Sequence, residues 1–480
     1  MTWPGCGSSS CLARPDQHIF SSVPVAREPG SVGNPGRPRN PRFVRGTKPG
    51  YPQAVHRPSE FSFDRFPQPS LPYYGYGFTN SFQELRRGVD KGRSRALEAK
   101  EAYSVKCTIS PQQLGAGLNS VSRAVSSRVT LPILNNVLVA ARGGSLQLTA
   151  TNLDLTIHHS LAAEVEEEGE VTVPARMLSE FVSALPEQPL RWQLDSAHQT
   201  VGLQSGRFDA HIRGVDAKEF PPLPDVSDGE TVELDPQTLL TAIDQTVIAA
   251  SADDGRPIYT GVLTEIAGPE VTLVATDGHR LAIRVVRATD GDRQGERFGV
   301  IIPARALSEL SRLLKPVAAS PASVSLTIGT ARAQVKFQLP GYELTARLID
   351  GVYPSYEKVI PTASQTVVRA STEELRRTTK VVSLFARDAA NVLKIRCEPG
   401  QIVLSANTNE VGDNVAGVDA TVEGDSLGIA FNARYVADVL NLIDSPEVEL
   451  ILNGPLSPGL VRAPGDDTYR YVIMPVRVAI

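Results

Sequence analysis

The sequence predicts an α+β protein made of three tandem homologous domains, because three segments recur in the same order. In one segment an apolar run is followed by Pro-Ala-Arg or Asn-Ala-Arg, and Arg176, Arg305 and Arg434 are spaced by 129 residues each time. Upstream of each copy lie a Leu-x-Ala segment and a capped helix start. The Leu-x-Ala segments are 148–152, 273–277 and 404–408, and the helix starts are 110–114, 235–239 and 371–375.

A period near 130 residues is the size of an independently folding domain and far exceeds the repeat of a solenoid. The sequence therefore predicts domains at 103–230, 231–361 and 362–480. Repeated use of one junction turns each unit by a similar angle, so we expect a curved array. Such an array closes into a ring with a second copy through a head-to-tail contact.

The first 102 residues differ in composition from the rest of the chain. They hold 15 Lys and Arg against 8 Asp and Glu, together with 13 prolines, whereas residues 103–480 hold 33 against 45. Too little apolar surface is present to offset the entropy of ordering, so 1–102 is interpreted as a disordered basic leader. It is either a DNA- or partner-binding arm or a non-essential extension from translation that begins upstream of a start near Val105. No signal-peptide core or membrane span is predicted.

The cysteines and histidines predict no metal site and no cofactor. Cys6, Cys11, Cys107 and Cys397 form no zinc-ligand spacing, which favours a reduced, cytoplasmic protein. His158 and His159 are adjacent in a predicted strand, so their side chains point to opposite faces.

Each repeat begins with a helix whose start is typical of an N-cap. Ser110 with Gln113 and Ser371 with Glu374 fit the capping box, and Pro111 and Pro236 occupy the first helical turn. Strands are expected at 133–140, 145–151 and 155–165, and a second helix follows Pro174, Pro303 or Asn432. Further strands are expected at 191–194, 200–203 and 208–213. The two helices are expected on one face of the sheet, and each repeat could itself be a duplicated half-unit.

Repeat two alone contains Asp277-Gly-His279-Arg280, which invites a catalytic interpretation. A histidine beside an aspartate can act as a general base, but the other repeats lack the pair and no other catalytic motif supports it. A binding patch unique to repeat two is the favoured interpretation. The alternative, an enzyme using Asp277 and His279, would lose turnover rather than partner binding when His279 is replaced.

Basic residues recur around the predicted helices and favour contact with nucleic-acid phosphates. Arg123 and Arg128 follow the first helix, and Arg376, Arg377 and Lys380 lie on the opening helix of repeat three. The second helices carry Arg176, Arg305, Arg312 and Arg434. A cationic surface of this kind binds DNA without reading its sequence.

Five segments closely resemble the bacterial DNA polymerase III beta subunit family, the DNA sliding clamps. They are Thr-Leu-Pro-Ile-Leu at 130–134, Ala-Thr-Asp-Gly-His-Arg-Leu-Ala at 275–282, Tyr-Pro-Ser-Tyr at 353–356, Phe-Asn-Ala-Arg-Tyr at 431–435 and Met-Pro-Val-Arg at 474–477. The resemblance covers 103–480 and leaves the leader without a counterpart.

The resemblance implies a homodimeric ring with helices lining the hole and sheets outside, a processivity factor rather than an enzyme. Its partners would be double-stranded DNA, the polymerase III alpha subunit, the clamp loader complex and other clamp-binding polymerases and repair proteins. It implies no cofactor, no membrane contact and a cytoplasmic location at replication sites in the nucleoid. A paralogue acting in repair or drug tolerance fits the same motifs.

The resemblance also implies a pocket for partner peptides between domains two and three. Its residues in this chain would be Thr276, Gly278, His279, Arg280, Leu281, Pro354, Lys358, Val359, Asn432, Tyr435, Val472, Met474, Val476 and Arg477. Lys358 replaces a frequent Arg and Val476 a bulkier residue, so the motifs alone do not define the pocket's shape. DNA contacts transfer to Arg128 and Arg256, and helix position adds Arg123, Arg376 and Arg377.

Overall fold

The computed structural model describes residues 105–125, 131–291, 297–387, 390–408 and 412–478, all within one compact unit at 90–480. The predicted leader and Arg128 lie outside the described residues. One pattern, a strand, a helix and three strands, is repeated six times along the chain, twice in each domain. Each repeat is therefore a duplicated half-unit, in which the strands Leu155–Ala162 and Glu164–Glu167 of the first domain together correspond to one strand.

The elements of the first domain begin with β1 Lys106–Ile109 and α1 Pro111–Val121. There follow β2 Asn136–Arg142, β3 Ser145–Thr151, β4 Leu155–Ala162, β5 Glu164–Glu167, β6 Gly169–Pro174, α2 Ala175–Ser183, β7 Leu190–Asp195, β8 Thr200–Ser205 and β9 Phe208–Arg213.

The second domain comprises β10 Gly229–Leu234, α3 Pro236–Val247, β11 Gly261–Ala267, β12 Glu270–Thr276, β13 Arg280–Arg287, β14 Phe298–Pro303, α4 Ala304–Leu314, β15 Val324–Gly329, β16 Gln334–Leu339 and β17 Tyr342–Arg347. The third comprises β18 Thr366–Ser371, α5 Thr372–Ala386, β19 Val392–Glu398, β20 Gln401–Thr408, β21 Gly412–Gly424, β22 Leu427–Asn432, α6 Ala433–Leu440, β23 Glu447–Leu452, β24 Gly459–Arg462 and β25 Tyr469–Ile473.

The local predictions hold with four corrections. The strand expected at 155–165 is broken at Ala163 into β4 and β5. The strand expected at 133–140 begins at Asn136, because Pro132 starts a 3-10 turn that ends at Asn135. The Ser371 and Asp235 side chains accept capping bonds from backbone amides, whereas the Ser110 side chain makes no such bond in the described structure. A single sheet per repeat is wrong for the first and second domains, because the strands of each divide between two sheets.

Two helices pack side by side in each domain, α1 with α2, α3 with α4 and α5 with α6. Their apolar faces cover the strands and form the main core. In α1, for example, Leu114, Leu118 and Val121 are fully buried at helical spacing. Removing these side chains from water is the main stabilising contribution of each helix.

Neighbouring domains are joined by antiparallel pairing of their edge strands. Between domains one and two, β17 pairs with β4 and places Leu344 opposite Ile157. Between domains two and three, β25 pairs with β13 and places Val472 opposite Leu281. Both junctions use the same two strands of the repeat, so continuous sheets of eight and twelve strands cross the domain boundaries.

An aromatic stack reinforces the first junction. The His159 imidazole lies 3.8 Å from the Tyr342 ring, nearly parallel to it, and its Nδ1 lies 2.7 Å from the Gly341 carbonyl oxygen. Because a carbonyl can only accept, Nδ1 carries the proton. Burial lowers the pKa of His159 below its usual 6.5, since the charged imidazolium is disfavoured there.

We expect acidification to weaken this junction. With a folded-state pKa below the unfolded one, the contribution of neutral His159 is complete above about pH 6.5 and is lost as the pH falls below it. His159→Phe keeps a ring for stacking and should flatten the dependence of the urea midpoint on pH between 7.5 and 5.5. The exposed His198 provides the control, and equal slopes for His159→Phe and His198→Phe would contradict this prediction.

Candidate functional site

The loop between β12 and β13 is held in one conformation by its own side chains. The Asp277 Oδ1 atom accepts from the amides of His279 and Arg280 at 2.8 and 3.0 Å. Thr276 Oγ1 accepts from the Gly278 amide at 3.1 Å. Gly278 has a φ of +91°, a conformation that a side chain disfavours, which explains a glycine at this position.

A small hydrophobic cluster lies where domains two and three meet. Six buried residues form it: Val274, Leu281, Ile283, Ile451, Leu460 and Val472. The partly buried Tyr353, Tyr356 and Ile360 of the inter-domain connection pack against this cluster. The pairing of β13 with β25 is what brings the two halves of the cluster together, so the cluster exists only when the junction is formed.

A cavity of about 160 Å³ lies at this junction. The structure brings eight of the fourteen predicted pocket residues into its lining: Thr276, Gly278, Arg280, Leu281, Pro354, Val359, Val472 and Met474. Three further residues, Tyr259, Ser355 and Tyr356, also line it and were not predicted. Ser355 and Tyr356 belong to the Tyr-Pro-Ser-Tyr motif, which could have identified them, whereas no sequence motif indicated Tyr259.

The remaining six predicted residues lie around the cavity rather than in its lining. His279 is exposed at the loop tip, and its carbonyl accepts from the Met474 amide at 2.8 Å. Lys358 and Arg477 are exposed, and the Val476 amide donates to the Ala430 carbonyl. Asn432 caps α6 through the Arg434 amide, and the Tyr435 ring lies under the Arg280 guanidinium.

Arg280 is the most highly connected residue of the pocket. Its side chain is 13% exposed, and its Nε and Nη1 atoms donate to Asp277 and Asp438 at 3.0 and 2.6 Å. Nη1 also lies 3.3 Å from the Tyr471 hydroxyl, and the guanidinium stacks 4.3 Å from the Tyr435 ring centroid. These bonds fix α6 of domain three against the loop of domain two.

The tyrosines of the connection are also anchored. The Tyr353 hydroxyl accepts from the Thr276 amide at 3.1 Å, and the Tyr356 hydroxyl donates to Glu265 at 2.8 Å. Arg297 binds the other oxygen of Glu265 at 3.0 Å. Burial raises the pKa of both tyrosines, so their hydroxyls remain protonated.

The geometry of Asp277 does not suit a catalytic pair with His279. Both carboxylate oxygens are occupied, one by backbone amides and the other by the Arg280 Nε. The described structure gives no bond between this carboxylate and the His279 imidazole. Asp277 therefore orients Arg280 and the loop rather than a general base.

The predicted DNA-contacting arginines occupy different environments. Arg256 is about half exposed, pairs with Asp253 at 3.3 Å and lies beside Gly278 of the pocket loop. Arg123 lies 3.9 Å from Glu309 across the junction of domains one and two. Arg377 is exposed and pairs with Glu373, whereas Arg376 donates to the carbonyls of Leu440 and Ile443 at the end of α6.

The described residues contain no group of three or more metal-ligating side chains. Cys107 and Cys397 are buried and free, and burial raises the pKa of each thiol to about 11, so neither is a reactive thiolate. None of the described helices is both long and apolar enough to span a bilayer.

Comparison with known proteins covers the three domains in turn. Family models of the DNA polymerase III beta subunit match residues 105–224 with the N-terminal domain, 233–355 with the central domain and 357–477 with the C-terminal domain. The beta sliding clamp of Bacillus subtilis is 32% identical over 384 residues, covering 78% of this chain and 100% of that protein. The Synechocystis beta sliding clamp is 34% identical, covering 76% of this chain and 97% of its own.

Solved structures agree with these matches. The DNA polymerase sliding clamp of Bacillus subtilis is 30% identical with a TM-score of 0.73, covering 78% of this chain and all of its own. The Pseudomonas aeruginosa sliding clamp bound to griselimycin is 29% identical with a TM-score of 0.73, at the same coverages.

Replacing Arg280 should destabilise the junction of domains two and three. In Arg280→Met the mostly buried Asp277 loses its guanidinium partner, so we expect the free energy of unfolding to fall by about 2–4 kcal/mol. The exposed Arg297 is the matched control, and Arg297→Met should change the urea midpoint little. Equal midpoints for the two variants would show that the Arg280 network does not hold the junction.

Proposed function

The chain belongs to the DNA polymerase III beta subunit family, and on that premise we propose that two copies close into a ring around duplex DNA. Members of the family are sliding clamps, non-catalytic processivity factors of DNA replication, and this chain is one of them. The ring would tether the replicative polymerase to DNA without reading sequence. Two copies hold six clamp domains, and the cytoplasm, at sites of replication, is the location that this function requires.

The observation that carries the ring proposal is the junction that the chain uses twice. In each use, the last strand of one domain pairs with the last strand of the first half of the preceding domain. The same rule leaves two unmatched edges, β9 in domain one and the 412–419 part of β21 in domain three. A head-to-tail contact with a second copy would pair these edges and close the ring.

The register of the proposed contact follows from the hairpins. Phe208 is the first residue after the turn of the β8–β9 hairpin, and Tyr342 holds the same position in the β16–β17 hairpin. Leu404 and Leu148 are equivalent positions of the repeat, and they pair with Ala416 and His159 respectively, so Ala416 is the equivalent of His159. Phe208 should therefore face Ala416 of the partner subunit, as Tyr342 faces His159. Phe208 is 50% exposed and Val415 61% exposed in the single chain, which a partner strand would cover.

Phe208→Asp should weaken the dimer at least tenfold, because it places a charge in the covered edge. Sedimentation at micromolar concentration should give wild-type particles of twice 51.6 kDa and a monomeric fraction for Phe208→Asp. Leu456→Asp is the matched control, because Leu456 is 65% exposed and lies between β23 and β24, outside both edge strands. A monomeric wild type, or an undiminished Phe208→Asp dimer, would count against this register.

The cavity between domains two and three is the proposed docking site for partner peptides. Its wall combines apolar side chains, Leu281, Val472 and Met474, with the backbone of the Gly278 loop. Such a site suits a Leu or Phe anchor of an extended peptide, and the flexible thioether of Met474 adapts to either. The polymerase alpha subunit, the clamp loader and repair proteins are the proposed bearers of such peptides.

Shortening Met474 should weaken peptide binding. We expect Met474→Ala to lower the affinity for a labelled peptide ending in Leu-Phe by about tenfold, because roughly 1.4 kcal/mol of apolar contact is lost. Met177→Ala removes the same groups from the surface of α2, where the side chain is 56% exposed, and should bind like wild type. Fluorescence anisotropy provides the measurement. Equal affinities of the two variants would place the anchor elsewhere.

A further inference from the structure

Positive charge is not shared equally among the six helices. The opening helices α1 and α3 contain no lysine or arginine, whereas α5 carries Arg376, Arg377 and Lys380. The second helices carry Arg176 in domain one, Arg305 and Arg312 in domain two and Arg434 in domain three, so the helical cations are most numerous in domain three. A duplex inside a ring built from these domains would meet unequal electrostatic attraction from its three domain types.

The helices of domain three border a groove of about 750 Å³. Five cations line it: Arg376, Arg377, Lys380, Arg387 and Arg434. Only two carboxylates, Glu373 and Asp438, belong to the same lining. The groove therefore has an excess of three positive charges, together with the amides of Asn391 and Asn441 as neutral donors.

The two carboxylates do not neutralise the whole groove. Glu373 pairs with Arg377 at 2.7 Å, and Asp438 accepts from Arg280 at 2.6 Å. Arg376 is already committed to the backbone carbonyls that end α6. In the described part of the chain, Lys380, Arg387 and Arg434 form no ion pair, so their donors face the groove without a carboxylate.

The repeats explain how Arg434 comes to be available. Each recurring arginine has an acidic residue four positions later, and in domain one this pair forms, with Arg176 Nε 2.8 Å from Glu180. In domain three the acid is Asp438, which Arg280 of domain two binds instead. The junction between domains two and three thus withdraws the intrahelical partner of Arg434.

From these observations we infer that the α5–α6 groove is a phosphate-binding site for the backbone of one DNA strand, and that domain three is the principal DNA contact within the ring. Guanidinium and ammonium groups spaced along a groove bind successive phosphates without base contacts. The inference rests on the proposed function, because it requires the helices to face the DNA. It assigns Lys380, Arg387 and Arg434 to DNA and gives Arg376 a structural role.

The equivalent arginines of domains one and three provide a matched test. Binding of a short labelled linear duplex is measured by anisotropy between 50 and 200 mM salt. Arg434→Ala and Lys380→Ala should each weaken binding about three- to tenfold at low salt and lower the salt slope by about one. Arg176→Ala removes the same side chain from a site paired with Glu180 and should lower affinity and slope clearly less than either variant.

Two outcomes would overturn the inference. One is an equal loss in Arg434→Ala and Arg176→Ala, which would mean that the groove has no special role. The other is no loss in Arg434→Ala and Lys380→Ala, provided that both variants sediment like wild type. Failure of the ring proposal is separately visible, because a monomeric wild type would be seen by sedimentation, whereas the binding of short linear duplexes does not require a closed ring.

Discussion

Antiparallel pairing between edge strands of adjacent domains is the interaction on which the rest of this structure depends. It converts three separate α+β domains into continuous sheets and fixes the direction in which each domain follows the last. Backbone bonds supply the register, and pairs such as Leu281 with Val472 supply burial. The same geometry leaves one unmatched edge at each end of the array, which is why a second copy is the natural partner.

The pocket is a product of that junction rather than of either domain alone. Its loop comes from domain two, its far wall from β25, and Arg280 connects them through Asp277 and Asp438. Because Asp438 also lines the basic groove, one ion pair borders both candidate binding surfaces. Without Arg280, the Asp438 carboxylate would lose this partner and would be left beside the cations of the groove. Peptide docking and DNA contact are therefore expected to share part of their structural support.

The sequence predicted the features that depend on local patterns of residues. The repeat markers and capping residues defined the three domains and all six helix starts, because helix caps and amphipathic spacing are short-range signals. Motif resemblance predicted a pocket, and eight of the fourteen predicted residues line one cavity. The exposed Lys358 and Arg477 lie outside the cavity lining. Their positions in the motifs did not reveal this, because a motif does not define the direction of a side chain.

Contacts between residues that are distant in the sequence could not be predicted. The stack of His159 on Tyr342 joins residues of different domains, and the division of domains one and two between two sheets each depends on which edges pair. Counting cations on helices predicted a cationic surface, yet Arg376 binds backbone carbonyls within the domain and Arg176 pairs with Glu180. Such hydrogen bonds and ion pairs become visible only in the three-dimensional structure.

The most direct test of the ring is retention of the loaded protein on circular and linear DNA at salt high enough to screen phosphate contacts. A closed ring predicts retention on the circle and loss from the linear molecule, because the ring slides off free ends. Equal loss from both would mean that the protein binds only a surface of DNA, and the ring would have to be abandoned.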